Sequence, residues 1–302
     1  MKIHALDLHF QDVSHAIAAY LVEGPEGYLL IETGPMSTLR ALQERLAEHG
    51  LSPADIHDIA VTHIHLDHAG AAGWWAQQGA RIYVHQAGAA HLVDPRRLWQ
   101  SASRIYGDSM EPLWGSVLPA PAEQVITVHD GEQIEAGGLS LIAIDTPGHA
   151  GHHHTYRLGD VAFTGDATGV RIAGSDWVSL PAPPPEFNRE LWWETLNRLE
   201  AEGFSALYPT HFGRVEDVDY QFAEIRSILE DASTFVRARM EEGMERDDLI
   251  NAYTGWNRER ALGRGMEPED FARYEAANPL FMSVDGLMRY WLKQAEAASG
   301  SA

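Results

Sequence analysis

The hydrophobic and polar positions along the first half of the chain predict short strands that alternate with helices. Apolar runs bounded by turn residues are typical of strands, and apolar residues three or four positions apart are typical of helices. Residues 36–49 therefore predict a helix with Leu39, Leu42 and Leu46 on one face and a stop at Gly50. The other elements predicted in this half are strands at 3–10, 16–22, 28–32, 59–62 and 81–84, a helix at 71–78 and a mostly helical segment at 86–106.

The second half repeats this alternation and then changes to helices alone. From about Asp217 onward, apolar residues recur at steps of three and four, as at Phe222, Ile225 and Leu229, which is typical of an amphipathic helix. Two strand-rich halves that each carry helices predict an α+β fold, a four-layer αββα sandwich. The earlier elements predicted here are strands at 124–128, 139–145, 153–158, 161–164 and 206–208 and a helix at 189–201. The predicted organisation is a sandwich domain at 1–216 with a mostly helical insertion at 91–121, and a helical extension at 217–302 packed on it.

A run of metal-ligand side chains follows the strand predicted at 59–62. His63, His65, Asp67 and His68 place three imidazoles and a carboxylate within six positions. Neutral imidazole and carboxylate are the ligands that zinc and related divalent metals take. Burying four such groups together without a cation would leave polar groups without solvent or partners. The run therefore predicts a metal site.

Three more side chains of ligand type stand where predicted strands end. His149 follows the strand at 139–145 after a Pro-Gly turn, and Asp166 and His211 follow the next strands that end in turns. Loops at strand ends are where a rigid scaffold usually holds catalytic groups. A single His or Asp in such a turn is ordinarily structural. Their joint order behind the run at 63–68 makes one shared site the better interpretation.

Composition narrows the functional classes and the chemistry of the site. The chain has 302 residues, of which 45% are hydrophobic, and this is enough for a sizeable core. The formal net charge of −22 repels polyanions, so we expect a small-molecule substrate and neither nucleic acid nor membrane as partner. With no cysteine in the sequence, a metal must be held by histidine and carboxylate. The N-terminus shows no signal peptide and no apolar run has membrane-spanning length, which predicts a cytoplasmic protein.

The ordered set of motifs resembles the metallo-β-lactamase-fold hydrolase superfamily. The resemblance covers roughly residues 15–215 and rests on HxHxDH at 63–68, followed by His149, Asp166 and His211. It is specific for the fold and for the metal site, and it says little about the substrate. The fold it implies, the metallo-β-lactamase fold, agrees with the αββα sandwich predicted from the hydrophobic pattern.

The resemblance also implies a ligand assignment and a reaction. One metal ion is bound by His63, His65 and His149, the other is bound by Asp67, His68 and His211, and Asp166 bridges the two. A water between two divalent ions loses a proton near neutral pH and becomes a hydroxide nucleophile. Asp67 is the expected catalytic residue because it is placed to orient that hydroxide. Two zinc ions are the expected cofactor, with iron or manganese as alternatives because they accept the same ligands.

The chain departs from the superfamily pattern at two places near the site. The superfamily usually has Asp in an early strand-end motif where this chain has Glu32, and the added methylene is expected to re-route a hydrogen bond to the histidines. His153 matches the second histidine of the family motif around the third ligand, His149. We expect Glu32 and His153 to support the metal ligands. His152 and His154 are interpreted as ordinary strand or surface residues, and His85 as a surface residue.

The predicted reaction is hydrolysis of a small ester, thioester or lactone by the metal-bridging hydroxide. The alternative is a mononuclear iron oxygenase of the persulfide dioxygenase type, with Fe(II) held by His63, His65 or His149 and a carboxylate such as Asp166. A phosphodiesterase or nuclease is disfavoured by the net charge, and a β-lactamase is a further, less favoured reaction. A non-catalytic protein is disfavoured because seven ligands leave an open site, whereas structural zinc sites are closed.

Two segments are expected to shape the substrate pocket, whose individual residues are not predicted. Residues 91–121 and 172–187 carry aromatic side chains, such as Trp99 and Tyr106, next to the predicted site. Such surroundings suit an apolar acyl or lactone substrate, and packing of these side chains onto the core is an equally favoured interpretation. The helices of 217–302 either cap the site, form a homodimer surface or simply pack on the core.

Overall fold

The computed structural model describes residues 2–172 and 175–300, and its first six strands form one sheet. These strands are β1 (Lys2–Asp7), β2 (Ala18–Gly24), β3 (Gly27–Ile31), β4 (Asp58–Ala60), β5 (Arg81–His85) and β6 (Val125–Val128). They follow one another in the sheet in chain order. The pairs β1–β2 and β2–β3 are antiparallel, and the remaining pairs are parallel. The parallel strands therefore place their carboxyl ends along one edge of the sheet.

The other five strands form a second sheet. They are β7 (Gln133–Ala136), β8 (Leu139–Asp145), β9 (His154–Leu158), β10 (Val161–Gly165) and β11 (Ala206–Pro209). Their order in the sheet is β11-β10-β9-β8-β7, with β10 and β11 parallel and all other neighbours antiparallel. In consequence β8, β10 and β11 run in the same direction, and their carboxyl ends lie along one edge.

The two sheets pack face to face through alternate residues of their strands. Tyr20 and Val22 of β2 and Phe163 of β10 belong to the core between the sheets. Their neighbours Leu21 and Ala162 belong to the separate core beneath the helices. Successive side chains of a strand point to opposite faces, so each sheet is covered on both sides. This confirms the predicted four-layer αββα sandwich.

Helices cover the outer faces of both sheets. They are α1 (Leu39–Glu48), α2 (Leu66–Ala69), α3 (Ala72–Gln77), α4 (Gln86–Val93), α5 (Arg96–Tyr106), α6 (Met110–Trp114), α7 (Arg189–Ala201), α8 (Val218–Glu241), α9 (Arg246–Gly263), α10 (Pro268–Ala277) and α11 (Leu280–Gly300). Helix α1 packs on β1, and α3 and α4 pack on β5. On the second sheet, Leu196 and Leu199 of α7 share a core cluster with Ala162 and Leu207. Within the described residues, no helix combines the length and the apolar composition needed to cross a membrane.

The C-terminal helices pack on the long loop that follows β10. Gln221 of α8 donates from Nε2 to the carbonyl oxygen of Thr168 at 2.7 Å. Ser283 of α11 donates from Oγ to the carbonyl oxygen of Leu180 at 2.7 Å and accepts the amide of Ala182 at 3.2 Å. All five of these residues are buried, so the bonds tie the loop to the helices away from solvent.

Most predicted elements are present, and the differences have local causes. The strand at 139–145 and the helix at 189–201 have the predicted bounds. The strand predicted at 3–10 ends at Asp7, because that carboxylate accepts the backbone amides of two later residues and turns the chain. Strand β7 was not predicted, since its buried positions alternate with exposed polar residues over only four positions.

Candidate metal centre

The seven side chains predicted as ligands lie together where strands of both sheets end. His63 and His65 lie in the segment that follows β4, and α2 continues that segment. Strand β4 ends at one edge of the first sheet, and β8, β10 and β11 end at one edge of the second sheet. The segments that follow these four strands converge. The remaining members are Asp67 and His68 on α2, His149 after β8, Asp166 after β10 and His211 after β11.

Three ring nitrogens form a triangle whose sides are close to those of a zinc site. Nδ1 of His65 lies 2.9 Å from Nε2 of His63 and 2.9 Å from Nε2 of His149, and the two Nε2 atoms are 3.2 Å apart. Tetrahedral zinc with nitrogen ligands at about 2.0–2.1 Å places those nitrogens roughly 3.3 Å apart. Nδ1 of His149 donates to the carbonyl oxygen of Pro181 at 2.7 Å, which leaves the lone pair on Nε2. We refer to His63, His65 and His149 as the first group.

A second group, made of Asp67, His68 and His211, faces the first. Oδ2 of Asp67 lies 3.4 Å from Nε2 of His211 and 3.5 Å from Nε2 of His68. Nδ1 of His211 donates to the carbonyl oxygen of Ala16 at 2.6 Å. Nδ1 of His68 donates to Oε1 of Glu32 at 3.1 Å. In the neutral imidazoles, these bonds leave both Nε2 lone pairs directed into the centre.

Asp166 lies between the two groups and offers one oxygen to each. Its Oδ2 is 3.3 Å from Nε2 of His149 in the first group. Its Oδ1 is 3.4 Å from Nε2 of His68 and 3.5 Å from Nε2 of His211 in the second group. A carboxylate with its two oxygens turned toward two sets of ligands is the arrangement that a bridging ligand requires.

The residues present fit divalent cations. Within the described part of the chain, Nε2 of His68 and Oδ1 of Asp166 are buried without a hydrogen-bond partner. An unpaired buried polar group costs about 1–3 kcal/mol, and coordination to a cation would satisfy both atoms. The donor atoms of His63, His68 and Asp166 also lie within 4.8 Å of one another, so the two groups form one continuous cluster. Imidazole and carboxylate together suit zinc, iron and manganese.

Charge is divided unequally across the centre. Burial and the neighbouring imidazoles lower the pKa of His63 well below its ordinary value. Burial alone would lower the pKa of His68, but three nearby carboxylates raise it well above the ordinary value. Burial alone would raise the pKa of Asp166, but the surrounding imidazoles lower it well below the ordinary value. The second group therefore stabilises positive charge, as a cation site must.

Glu32 lies behind the second group and is fully buried. Its Oε1 accepts hydrogen bonds from Nδ1 of His68 at 3.1 Å and from the hydroxyl of Thr210 at 3.2 Å, and its Oε2 accepts the amide of Thr62 at 3.2 Å. Its φ of 66° lies in the left-handed region that residues other than glycine rarely adopt. Glu32, which directly follows β3, is therefore a strained residue whose carboxylate contacts a candidate ligand directly.

His153 lies on the other side of the centre, behind Asp166. Its Nε2 accepts the backbone amide of Asp166 at 3.2 Å. Its Nδ1 lies 2.7 Å from the hydroxyl oxygen of Thr146, and the ring is buried. His153 is thus placed to fix the backbone from which a candidate ligand projects.

The surface position predicted for His85 is wrong. His85 is only 6% exposed and His154 is fully buried, and their Nε2 atoms lie 3.4 Å and 2.7 Å from Oδ1 of Asp145. The prediction failed because the two histidines meet across the two sheets, a contact that their sequence neighbours do not indicate. The amide of Ala87 donates to Nδ1 of His85 at 3.0 Å, so Nε2 carries the proton that faces Asp145. His154 is hydrogen-bonded to Asp145 and His85 lies at ion-pair distance from the same oxygen, so the trio is interpreted as an electrostatic network, although its donor atoms also lie within 4.8 Å of one another.

A cavity of about 280 Å³ opens beside the centre, with His65, Asp67, His149 and Asp166 at its inner end. The segment at 91–121 contributes residues such as Leu98 and Trp114 to its walls, as predicted. The segment at 172–187, of which residues 173 and 174 lie outside the described residues, contributes Pro181 and residues 183–186. The C-terminal helices supply a further wall through residues 276–279 and 282.

His152 also lines this cavity and is buried, which differs from an ordinary surface position. Its ring centroid is 5.5 Å from that of His65, and its Nε2 lies 3.5 Å from Oε2 of Glu186. By contrast, Trp99 packs against the main core at its edge and does not form part of the cavity wall among the described residues.

Sequence reasoning missed the backbone groups that orient the imidazoles. The carbonyl oxygens of Ala16 and Pro181 accept the Nδ1 protons of His211 and His149. Neither residue type indicates such a role, because any residue supplies the same carbonyl. The one available signal was the proline-rich stretch at 181–185, whose restricted backbone suits a loop that must hold a fixed position.

Comparison with protein families identifies the family of the chain. A family model described as the metallo-beta-lactamase superfamily matches residues 15–211, which is more than half of the chain. The matched range contains all seven residues of the two groups and of the carboxylate between them.

Individual proteins are similar over different parts of the chain. A metallo-beta-lactamase fold-containing protein from Sulfurisphaera tokodaii is 31% identical over 144 residues, which are 46% of this chain and 54% of that protein. The chain thus spans about half the length of this relative. A hydroxyacylglutathione hydrolase from Methylobacterium sp. (strain 4-46) is 25% identical over 248 residues, which are 80% of this chain and 73% of that protein.

A solved structure extends the likeness of the fold to nearly the whole chain. The crystal structure of a metallo-beta-lactamase family protein from Thermus thermophilus superposes with a TM-score of 0.68. The superposition covers 97% of this chain and 94% of that one, at 22% sequence identity. At this identity the likeness concerns the fold alone.

Proposed function

The chain belongs to the metallo-β-lactamase superfamily of metal-dependent hydrolases and related enzymes, and on that premise we propose that it is a hydrolase that uses two divalent ions. Its proposed substrate is a small ester, thioester or lactone. The observation that carries the proposal is the position of Asp166, which turns one oxygen to each of two ligand groups. A mononuclear site would use one side of this carboxylate and leave the second group of ligands without a function.

The ions would be held by the chain as follows. The first group would bind one ion and the second group the other, and Asp166 would offer one oxygen to each group. We propose zinc, because the nitrogen spacing of the first group is close to that of a tetrahedral zinc site. When bound, two such ions polarise a carbonyl oxygen and lower the pKa of a water between them toward neutrality.

The side chains around the ions supply orientation. Burial alone would raise the pKa of Asp67, but His68 and His211 lower it to about 2, so its carboxylate is ionised at neutral pH. Asp67 lies at the inner end of the cavity and can accept a hydrogen bond from an attacking water. We assign it the catalytic role of orienting that water, as an ionised acceptor of its hydrogen bond. His149 is kept in the ligand tautomer by the carbonyl oxygen of Pro181.

One relative supports hydrolysis of an acyl compound. The hydroxyacylglutathione hydrolase from Methylobacterium is named for cleavage of an acylated glutathione, and it matches 80% of this chain at 25% identity. Within that reaction class the chemistry of the two groups serves esters, thioesters and lactones alike, because each presents a carbonyl to the nucleophile.

The test is hydrolysis by metal-replete protein of a panel of thioesters, esters and lactones. Asp67→Asn should lower kcat by about 100-fold or more on every substrate that the wild type cleaves, because the oriented carboxylate is lost. Asp108→Asn removes an exposed carboxylate outside the cavity walls and should leave kcat unchanged. Absence of metal-dependent hydrolysis across the panel would refute the proposal.

A second candidate is a mononuclear iron oxygenase, which one observation favours. His63, His68 and Asp166 form a set of two histidines and one carboxylate with donor atoms within 4.8 Å of one another, in which His68 takes the place of the second histidine expected from the sequence, His65 or His149. Such a set is the ligand arrangement of many non-haem Fe(II) oxygenases. Oxygen uptake by the iron-loaded protein with a persulfide, together with no hydrolysis in the panel, would favour this reaction.

A further inference from the structure

Helix α5 is amphipathic, yet none of its described residues is buried. Four apolar side chains repeat along it at helical spacing and line the cavity beside the metal centre. These residues are Leu98, Ala102, Ile105 and Tyr106. An amphipathic helix normally buries such a face against the core. In this chain Leu98, Ala102 and Tyr106 pack only partly buried at the edge of the main core, and the same face borders the open cavity. The helix therefore forms a wall that can contact a ligand.

The other walls of the cavity are apolar as well. They come from three separate parts of the chain, namely the connection between β1 and β2, helix α6 and the C-terminal helices. Their side chains are Phe10, Ile17, Leu113, Trp114, Ala277 and Met282. Apolar surface that converges from four elements on one volume gains free energy when a hydrocarbon group displaces water from it.

The polar and charged side chains that line the cavity outside the metal centre are fewer than the apolar ones, and two of them, Glu186 and Asn278, are already bonded. They are Gln11, His91, Arg97, Ser101, His152, Glu186 and Asn278. The carboxylate of Glu186 accepts the amide of Gly151 at 2.7 Å and faces His152. Arg97 is an exposed residue at the start of the α5 face. The side-chain amide of Asn278 donates to Ser179 and to the carbonyl oxygen of Leu180. Because apolar side chains make up most of the lining, much of the cavity surface offers water none of the two to four polar partners that it needs.

We propose that this cavity binds the hydrocarbon chain of the acyl group, so that the substrate is a medium-chain acyl ester, thioester or lactone. The inference rests on the proposed function, because the carbonyl would lie at the inner end, beside Asp67 and Asp166. The acyl group is assigned to the cavity because it is the part that all three substrate types share. In the reaction, water adds its oxygen to the acyl carbon, the bond to the alcohol or thiol breaks, and the leaving group takes a proton.

The volume sets the length of chain that fits. At roughly 30 Å³ for each water-sized group, a cavity of about 280 Å³ holds about nine such groups. An acyl chain of about eight carbons therefore fills it. Each methylene moved from water into such a site contributes enough free energy to raise kcat/KM about fourfold. A longer chain must leave the cavity and gains nothing further.

The experiment measures kcat/KM of metal-replete protein on p-nitrophenyl esters from acetyl to dodecanoyl, all below their micellar concentrations. We expect a rise of about three- to fourfold per methylene up to about the octanoyl ester and a plateau or fall beyond the decanoyl ester. Metal-dependent hydrolysis that does not vary with chain length would overturn this inference and leave the proposed hydrolase function standing. A kcat/KM that keeps rising up to the dodecanoyl ester would also overturn this inference.

Two substitutions on α5 move the expected optimum in opposite directions. Ala102→Phe fills the cavity and should lower the ratio of octanoyl to acetyl hydrolysis by about 10-fold or more, since several methylenes lose their place. Ile105→Ala enlarges it and should shift the optimum to longer chains. Gln100→Phe puts the same aromatic group on the exposed, opposite face of the helix and should leave the ratio unchanged. Equal ratios in all three variants would contradict the assignment.

Binding of octanoate, measured by calorimetry, tests the cavity without turnover. Octanoate should bind at least about 100-fold more tightly than butanoate, and Ala102→Phe should abolish the difference, whereas Gln100→Phe should retain it. If no substrate is hydrolysed but this pattern is found, the proposed function fails and the cavity assignment stands. If octanoate and butanoate bind equally, the cavity assignment fails.

Discussion

Gly286 in α11 connects the C-terminal helices to the metal centre, and its replacement should affect both stability and metal binding. A Cβ built on Gly286 would lie 1.8 Å from the carbonyl oxygen of Ala182 and 2.9 Å from the carbonyl carbons of Ala182 and Pro183. The neighbouring Pro181 holds Nδ1 of His149 through its carbonyl oxygen at 2.7 Å. Gly286→Ala must therefore displace either α11 or the loop segment that orients this histidine.

The expected change in the unfolding free energy of Gly286→Ala is the sum of two opposing contributions. Replacing glycine by alanine inside a helix stabilises it by about 0.5–1 kcal/mol. Overpacking against a fixed neighbour costs about 1–3 kcal/mol, and the upper part of this range applies because the clash is with backbone atoms. The net expectation is a loss of about 1–2 kcal/mol of unfolding free energy. In a chain of 302 residues, that is roughly 1.5–3 °C in Tm.

Gly255 provides a matched control inside helix α9. A Cβ built there meets no atom of the described residues within 4 Å. Gly255→Ala should therefore raise the unfolding free energy by about 0.5–1 kcal/mol, so that the two identical substitutions have opposite signs. Chemical unfolding of the metal-free protein measures both changes.

Metal binding gives the second measurement for Gly286→Ala. Loss of a partner that orients a metal-ligating histidine typically weakens metal affinity about 10–100-fold. We expect a loss at the low end of that range for Gly286→Ala and none for Gly255→Ala, in titrations with a chromophoric chelator. Stability and affinity that match the wild type in Gly286→Ala would refute the coupling between α11 and the centre.

Three further substitutions test the support of the centre. Glu32→Gln removes the charge that faces His68 at 3.1 Å, and should weaken metal binding about 10–100-fold in a chelator titration; unchanged affinity would exclude this role. Tyr20→Phe leaves the amide of Gly213 without its acceptor at 2.9 Å and should cost about 1–3 kcal/mol in urea unfolding, whereas an unchanged midpoint would contradict this. Asp145→Asn should destabilise the protein by about 1 kcal/mol and retain all bound metal; loss of a metal equivalent would show that its network is a metal site.

The fold and the convergence of the candidate ligands were predictable because both follow from local patterns. Alternating apolar positions at 139–145 mark a strand in any context, and the same holds for the helical spacing at 189–201. His149 and His211 each follow a strand, and the carboxyl ends of strands that run in one direction lie at one edge. The order of these residues along the chain, together with the resemblance to the metallo-β-lactamase superfamily, therefore indicated which side chains would meet.

The surroundings of the ligands were not predictable, because they depend on contacts between distant elements. Pro181 reaches His149 from a loop that is itself hydrogen-bonded to the C-terminal helices. His85 and His154 come from different sheets and meet at Asp145, so a pattern along either strand cannot show the contact. Backbone carbonyls and contacts between layers lack a sequence signature.

The most direct test of the central claim is the metal content of the wild-type protein after purification without added metal, measured by elemental analysis against protein concentration. Two ligand groups that share Asp166 predict close to two equivalents of divalent metal per chain, with zinc the principal element. One equivalent of iron per chain, with oxygen uptake and no hydrolysis, would contradict the account.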